Sequence, residues 1–157
     1  MAKINARAKG ASGEREFCAW LHSTFQLVAY PTRNLDQVRD SGVDVICEPF
    51  AFEVKRCEVL SHLDWWGQVN RAVNNKTGKA FGLEPVVVFR QNGKRWNFMI
   101  DSKYIGIPGG WIILTELVFT KWAKNFVLNY NLEKQKIAHA REVIAPESFR
   151  TIGITKQ

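Results

Sequence analysis

The sequence predicts an α/β domain whose central mixed β-sheet is flanked by helices. Apolar residues recur at helical spacing near the N-terminus, and short β-branched or aromatic runs of strand length follow them. These two kinds of segment then alternate along the chain, as they do where helices pack on a sheet. With 157 residues, 46% of them hydrophobic, the chain suits one compact domain.

The first helix is predicted to run from Ser12 to about Phe25. Ser12 is a suitable N-cap, and the apolar residues after it lie three or four positions apart: Phe17, Trp20, Leu21 and Phe25. Glu14 and Glu16 are then expected in the first turn, where the helix dipole favours carboxylates. A polar loop is expected over residues 32–42.

Two strands and a second helix are predicted next. Residues 43–47 and 51–57 are short β-branched or aromatic runs separated by Glu48-Pro49. Ser61 and Asp64 form a variant of the capping box at the start of a helix. This helix is expected to bury the residues at three-to-four spacing: Leu63, Trp66, Val69 and Val73.

The second half of the chain is predicted to add three strands and two helices. Residues 85–89 form a continuous apolar run, and the pair Asn92-Gly93 indicates a tight hairpin into a strand over residues 95–101. After a break at Pro108-Gly109-Gly110, we expect a short strand followed by two helices, over residues 111–114, 115–126 and 132–143.

Three regions are expected along the chain. Residues 1–10 are polar and basic without an apolar period, which indicates a flexible arm. Residues 11–101 carry the chemical motifs and form the expected core. Residues 102–157 are rich in Trp, Phe and Leu, and we expect them to pack on the same domain, where they extend an interface between two copies or cover a sheet edge.

The charge of the chain predicts an anionic partner. The formal net charge is +7 and the sequence pI is about 9.5, and an excess of Lys and Arg attracts polyanions. Nucleic acid is the first candidate, and a basic protein with no nucleic-acid role is the alternative. No apolar run is long enough to span a bilayer, and no basic helix with an uninterrupted apolar face indicates binding to a membrane surface.

The strongest chemical signal is the triplet Glu53-Val54-Lys55 on a predicted strand, with Asp44 on the strand before it. Period-two alternation puts Glu53 and Lys55 on one face of the sheet. Asp44 stands between two valines, where an unpaired carboxylate is costly unless it meets a cation or a water-filled cleft. Two carboxylates and a lysine suit Mg²⁺-dependent phosphodiester hydrolysis, in which the metal activates a water and Lys55 orients or helps to deprotonate it.

A plainer interpretation of these residues stays open. An acid-x-Lys triplet also arises by chance, and most such pairs form a weak ion pair on a solvated strand face. The surroundings favour the chemical interpretation, because a strand with an acid precedes the triplet, a helix with early carboxylates precedes that strand, and the chain is basic.

The chain resembles the archaeal-type Holliday junction resolvases of the PD-(D/E)xK nuclease superfamily in five segments taken in order: KGASGEREF, DSGVDVIC, FEVKRCE, EPVVVFR and RWNFMID. The resemblance spans residues 9–101. It implies a restriction-endonuclease-like fold, a homodimer, and Mg²⁺-dependent cleavage of four-way DNA junctions, with Mn²⁺ able to substitute. Val43 replaces the proline that names the motif, which removes no ligand. Residues 102–157 exceed the minimal resolvase core, and such an extension suits a phage or mobile element.

The resemblance implies roles for four residues. Glu14 is the helix-borne acid, Asp44 and Glu53 are the metal-binding pair that Glu14 assists, and Lys55 is the catalytic lysine. Without the resemblance, Glu14 is equally well a carboxylate that complements the helix dipole.

Ser41 and Gln68 are secondary candidates for the same site. Ser41 resembles the family's serine near the scissile phosphate, and Gln68 resembles a site-facing glutamine of the superfamily. A plain turn residue and an exposed glutamine are the alternatives. Basic residues around the site are expected to bind the DNA backbone without reading its sequence: Lys3, Arg7, Lys9, Arg15, Arg33, Arg39, Arg56, Arg71, Lys76 and Lys79.

Two other functions stay open. A nuclease of the same superfamily can act on flaps, single strands or plain duplex, and a DNA-binding module can keep the fold without catalysis. The complete set of Glu14, Asp44, Glu53 and Lys55 favours an enzyme. Its action on DNA implies the cytoplasm of a prokaryotic or phage-infected cell.

Overall fold

The centre of the protein is a five-stranded mixed sheet. A computed structural model describes residues 6–26 and 42–144, including the side chains of residues 8–26 and 42–141. The strands lie in sequence order: β1 Val45–Cys47, β2 Phe50–Arg56, β3 Glu84–Arg90, β4 Asn97–Asp101 and β5 Trp111–Thr115. Strands β2 and β3 are parallel, and the other neighbouring pairs are antiparallel.

Helices flank this sheet. The described residues form three α-helices: α1 Ala6–Phe25, α2 His62–Asn74 and α3 Glu116–Ile144. Helix α2 lies in the crossover that joins the parallel strands β2 and β3, and a 3-10 helix at Ser102–Ile105 joins β4 to β5. The predicted fold class, α/β with a central mixed sheet flanked by helices, is confirmed.

Aromatic side chains fill the layer between one face of the sheet and the helices α1 and α3. The ring of Phe17 in α1 lies 4.9 Å from that of Phe52 in β2, and Phe98 in β4 stacks on Phe119 in α3 at 3.9 Å. All four side chains are almost fully buried. Burial of a phenylalanine contributes roughly 2 to 3 kcal/mol, so this layer holds α1 firmly against β2.

Helix α2 covers the other face of the sheet. Its buried residues are Trp65, Val69, Ala72 and Val73. The predicted apolar stripe of α2 is therefore wrong in part, because Leu63 is 72% exposed and Trp65 is buried. Trp65 packs against His62 and Phe89, with ring centroids 5.5 and 5.6 Å away.

Two helices differ in extent from the prediction. Helix α1 begins at Ala6, so Ser12 is not its N-cap and residues 6–10 of the expected arm are helical. Glu14 and Glu16 consequently lie well inside the helix and away from its positive end. Helix α3 is continuous from Glu116, where two separate helices were predicted.

The chain divides into two compact units, Met1–Lys124 and Asn125–Gln157. The first unit contains the sheet, and the described part of the second is the remainder of α3. The predicted C-terminal region, residues 102–157, is therefore divided between them. Within residues 6–26 and 42–144, no helix is both long and apolar enough to cross a membrane.

Candidate active site

The candidate site lies where the pairing between strands β1 and β2 ends. Strand β1 starts at Val45, which pairs with Phe52. The same register continued by one residue would place Asp44 opposite Glu53, and the Asp44 N–H donates a 3.0 Å hydrogen bond to the Phe52 carbonyl. Directly opposite residues share a face, so two carboxylates meet at this edge of the sheet.

The side chain of Asp44 accepts the hydrogen bond that a further residue of β1 would otherwise accept from β2. Its Oδ2 accepts a 2.8 Å hydrogen bond from the backbone N–H of Val54. That N–H lies beyond the end of β1 and would otherwise need another partner. Asp44 is thereby fixed in position beside Glu53.

Glu53 and Lys55 form the centre of the site. Glu53 is 1% exposed, and its Oε1 lies 2.5 Å from Lys55 Nζ in a largely buried ion pair. Lys55 Nζ also lies 3.4 Å from Gln68 Oε1 on α2. Within the described part of the chain, neither Glu53 oxygen accepts a hydrogen bond of regular geometry, so this buried carboxylate is incompletely satisfied.

The carboxyl groups of Asp44 and Glu53 both resist ionisation. Burial raises the pKa of Glu53, and the negative charge of Asp44 raises it further, while Lys55 opposes both effects. Burial also raises the pKa of Asp44, against the opposing effects of the Val54 N–H and Lys55. A cation placed between the two carboxylates would remove much of this cost.

Lys55 is held as an ammonium ion. Burial alone would lower its pKa, but Glu53 and then Asp44 outweigh burial and raise the pKa above the usual lysine value. In this arrangement Lys55 donates hydrogen bonds and supplies positive charge.

Helix α1 brings Glu14 to the same place. Glu14, Asp44 and Lys55 line a cleft of about 460 Å³. Burial raises the pKa of Glu14, and the nearby charge of Asp44 raises it further. The structure therefore brings together the four residues that the resemblance assigned to catalysis, although Glu14 arrives from the middle of its helix.

The chemistry of these donors fits Mg²⁺. Magnesium is typically held by one or two carboxylates and keeps several waters or phosphate oxygens as ligands. Asp44 and Glu53 supply such a pair, and Glu53 has buried oxygens without regular hydrogen bonds among the described residues. No cluster of three or more His, Cys, Asp or Glu side chains with metal-binding geometry is present in that part of the chain.

The structure describes one of the two secondary candidates, Gln68, but not Ser41. Gln68 is half-buried and contacts Lys55, so the alternative of an exposed glutamine is wrong. It faces the site because α2 buries Trp65 and Ala72, which lie on the same side of the helix as Gln68. Ser41 lies outside the described residues.

The predicted DNA-binding residues are scattered around the molecule. Lys9 lines the cleft, and Arg56 lines it while paired to Glu16 at 2.5 Å. The remaining described members are exposed: Arg15, Arg71, Lys76 and Lys79. Others lie outside the described side chains: Lys3, Arg7, Arg33 and Arg39.

Glu58 also lines the cleft, although it was not among the predicted site residues. Its Oε1 lies 3.2 Å from Lys9 Nζ and accepts a hydrogen bond from the Asn92 N–H at 3.2 Å. That backbone hydrogen bond, followed by the contact with Lys9, lowers the pKa of Glu58. Glu58 is the last residue of the segment FEVKRCE, and that position is the sequence signal that could have identified it.

The chain has a likeness among proteins of known structure. No family model matches the chain, and no curated protein matches it. Among solved structures, it is similar to Hjc from Archaeoglobus fulgidus, a Holliday junction resolvase from an archaeal hyperthermophile. The two chains are 18% identical with a TM-score of 0.46, and the match covers 70% of this chain and 91% of the other.

Proposed function

We propose that the protein is a metal-dependent DNA endonuclease that cleaves four-way junctions. The observation that carries the proposal is the meeting of Asp44, Glu53 and Lys55 where β2 continues beyond its described pairing with β1. Two adjacent carboxyl groups and one lysine ammonium group form an arrangement suited to a divalent cation and a phosphate group.

Each residue has a separate task in this proposal. Asp44 and Glu53 would hold Mg²⁺ or Mn²⁺, and Glu14 would bind a water from the other side of the cleft. Bound there, the metal ion would lower the pKa of a water and offset charge on the phosphate. Lys55, fixed between Glu53 and Gln68, orients the attacking water or a phosphate oxygen through its N–H donors.

The choice of substrate is supported by charge and by the sequence resemblance. A net charge of +7 suits the backbone of DNA, and Lys9 already lines the cleft. The resemblance to archaeal-type resolvases favours the four-way junction as substrate and a homodimer as the active species. A two-fold dimer would present equivalent sites to opposing strands of a junction with two-fold symmetry.

Cleavage of a labelled four-way junction tests the proposal. Wild-type protein in Mg²⁺ should give paired, symmetric cuts, and a chelator should abolish them. Lys55→Ala and Asp44→Asn should each lower the rate by at least about a hundredfold while the protein remains folded. Glu133→Gln is the matched control, because Glu133 is 64% exposed on α3.

A linear duplex of the same sequence distinguishes the alternatives. Equal cutting of duplex and junction would identify a general nuclease with the same chemistry. Retained cleavage in both Lys55→Ala and Asp44→Asn would refute the assignment of the site. Tight binding of the junction without cleavage in any divalent metal would identify a DNA-binding module.

A further inference from the structure

A second charged cluster lies beside the candidate site and joins α1 to the sheet. Its centre is Glu16, whose two carboxylate oxygens contact two arginines. Oε1 lies 2.5 Å from Arg56 Nη1, and Oε2 contacts Arg90 Nη2. Ser12 completes the cluster by donating a 3.0 Å hydrogen bond to Glu16 Oε1.

The two arginines are neighbours because of the register of the parallel strands. Arg56 of β2 pairs directly with Arg90 of β3. Like charges on directly neighbouring strand positions repel each other. Glu16 lies between them and supplies the compensating charge, while the Arg90 guanidinium also stacks 4.3 Å over the ring of Trp96.

This cluster lies on the opposite side of the helix from Glu14. At 100° per residue, Glu14 and Glu16 flank the buried stripe of α1 that contains Gly13 and Phe17. The ion pairs of Glu16 hold one flank of the helix, and Glu14 faces the cleft from the other flank. Rotation of α1 about its axis would therefore move Glu14 relative to Asp44.

The stripe between these two flanks allows a close approach to the sheet. Gly13 is buried, and a Cβ atom at this position would lie 3.1 Å from Arg56 Cβ. A larger residue would force α1 and β2 apart by a few tenths of an ångström. Gly13 and Glu16 thus act together, since one permits the contact with Arg56 and the other fixes the angle of the helix.

We propose that Glu16 is a positioning residue of the nuclease site, which sets the rotation of α1 through Arg56 and Arg90 and so places Glu14 over Asp44. The inference rests on the proposed function for its kinetic test. Glu16 itself does not line the cleft, and each of its carboxylate oxygens contacts an arginine.

The kinetic test is a double-mutant cycle with Glu14. Glu16→Gln should lower kcat for junction cleavage about tenfold and leave KM within about twofold, because displacement of a catalytic group affects the reaction more than substrate binding. In a Glu14→Gln background, Glu16→Gln should have no further effect, since it acts through Glu14. Multiplicative losses in the double variant, or an unchanged kcat in the single one, would overturn the proposal.

A second variant addresses the risk that Glu16→Gln leaves two repelling arginines and unfolds the protein. Gly13→Ala retains all the charges and favours helical backbone, but introduces the 3.1 Å contact with Arg56. It should lower kcat with helix content unchanged. Full activity in a folded Gly13→Ala protein would show that the closeness of α1 and β2 does not set the site.

A structural readout separates this inference from the nuclease assignment. Glu16→Gln should shift the backbone amide resonance of Asp44 in NMR spectra, and Glu133→Gln should not. If wild-type protein cleaves no DNA but the Asp44 resonance shifts, the positioning role stands and the proposed function fails. If the Asp44 resonance does not move, the positioning role fails whether or not DNA is cleaved.

Discussion

Val54 contributes to the candidate site through its backbone, whereas its side chain is buried in the core. Its N–H donates to Asp44 Oδ2 at 2.8 Å, which fixes the carboxylate beside Glu53. The middle residue of the Glu53-Val54-Lys55 triplet is therefore both a core residue and a support for the proposed metal-binding pair. An isoleucine at position 54 should preserve both tasks, whereas proline would remove the donor.

The pKa of Glu53 gives a prediction about stability. The carboxyl group binds a proton more tightly in the folded protein than in the unfolded chain, because burial and Asp44 raise its pKa. The folded state therefore carries more protons than the unfolded state above about pH 4, and the free energy of unfolding falls as pH rises to the folded pKa. Above that pKa the stabilising contribution of the proton is completely lost.

Denaturant unfolding in the presence of a chelator, at pH 5 and pH 8, measures this effect. The decline in the free energy of unfolding should be smaller in Glu53→Gln than in wild type, by on the order of 1 to 3 kcal/mol. The exposed Glu133→Gln variant should follow the wild-type profile. Parallel profiles for wild type and Glu53→Gln would contradict the raised pKa.

The residues of the site differ in how far the sequence predicts them. Asp44, Glu53 and Lys55 are predictable because strand alternation and a short antiparallel register are local properties. The environment of Gln68 depends on which face of α2 is buried. The adjacent tryptophans Trp65 and Trp66 leave that face ambiguous, and only the packing of Trp65 on His62 and Phe89 decides it.

At the scale of elements, the helices show why boundaries are harder to predict than strands. Residues 6–10 contain no large apolar side chain, so no hydrophobic period marks the first turns of α1. Asn125, Asn129 and Asn131 suggest a break in α3, yet the helix continues through them. Hydrophobic periodicity misses the first turns of α1, where alanine, arginine and lysine favour the helix through their intrinsic propensity.

The two parts of α3 should differ in their importance for stability. Phe119 is fully buried and stacks on Phe98, so Phe119→Ala should lower the free energy of unfolding by about 3 to 5 kcal/mol. Leu128 is 59% exposed, so Leu128→Ala should change it by less than about 0.5 kcal/mol. Chemical denaturation of the two variants compares them directly. A large loss in Leu128→Ala would reveal that another surface covers this part of the helix.

At the scale of the whole molecule, the position of the site follows from the unequal lengths of two strands. Strand β2 spans Phe50–Arg56, whereas β1 spans only Val45–Cys47. The half of β2 that contains Glu53 and Lys55 is the part that does not pair with β1. If β1 extended a few residues further towards the N-terminus, it would pair with the rest of β2. The backbone N–H of Val54 would then bond to β1 and not to the Asp44 side chain.

Among the described residues, the end of β2 that does not pair with β1 also bears on the topology of the DNA that can be cut. A site at the rim of a sheet can be approached from the side, so a strand does not have to be threaded through it from a free end. We therefore expect covalently closed circular DNA with an extruded cruciform to be cut as fast as a linear fragment with the same cruciform. Gel analysis of nicked and linear products measures both rates. If only the closed circles are not cut, the protein needs a free DNA end. The DNA strand would then have to be threaded through an enclosed passage to reach the site.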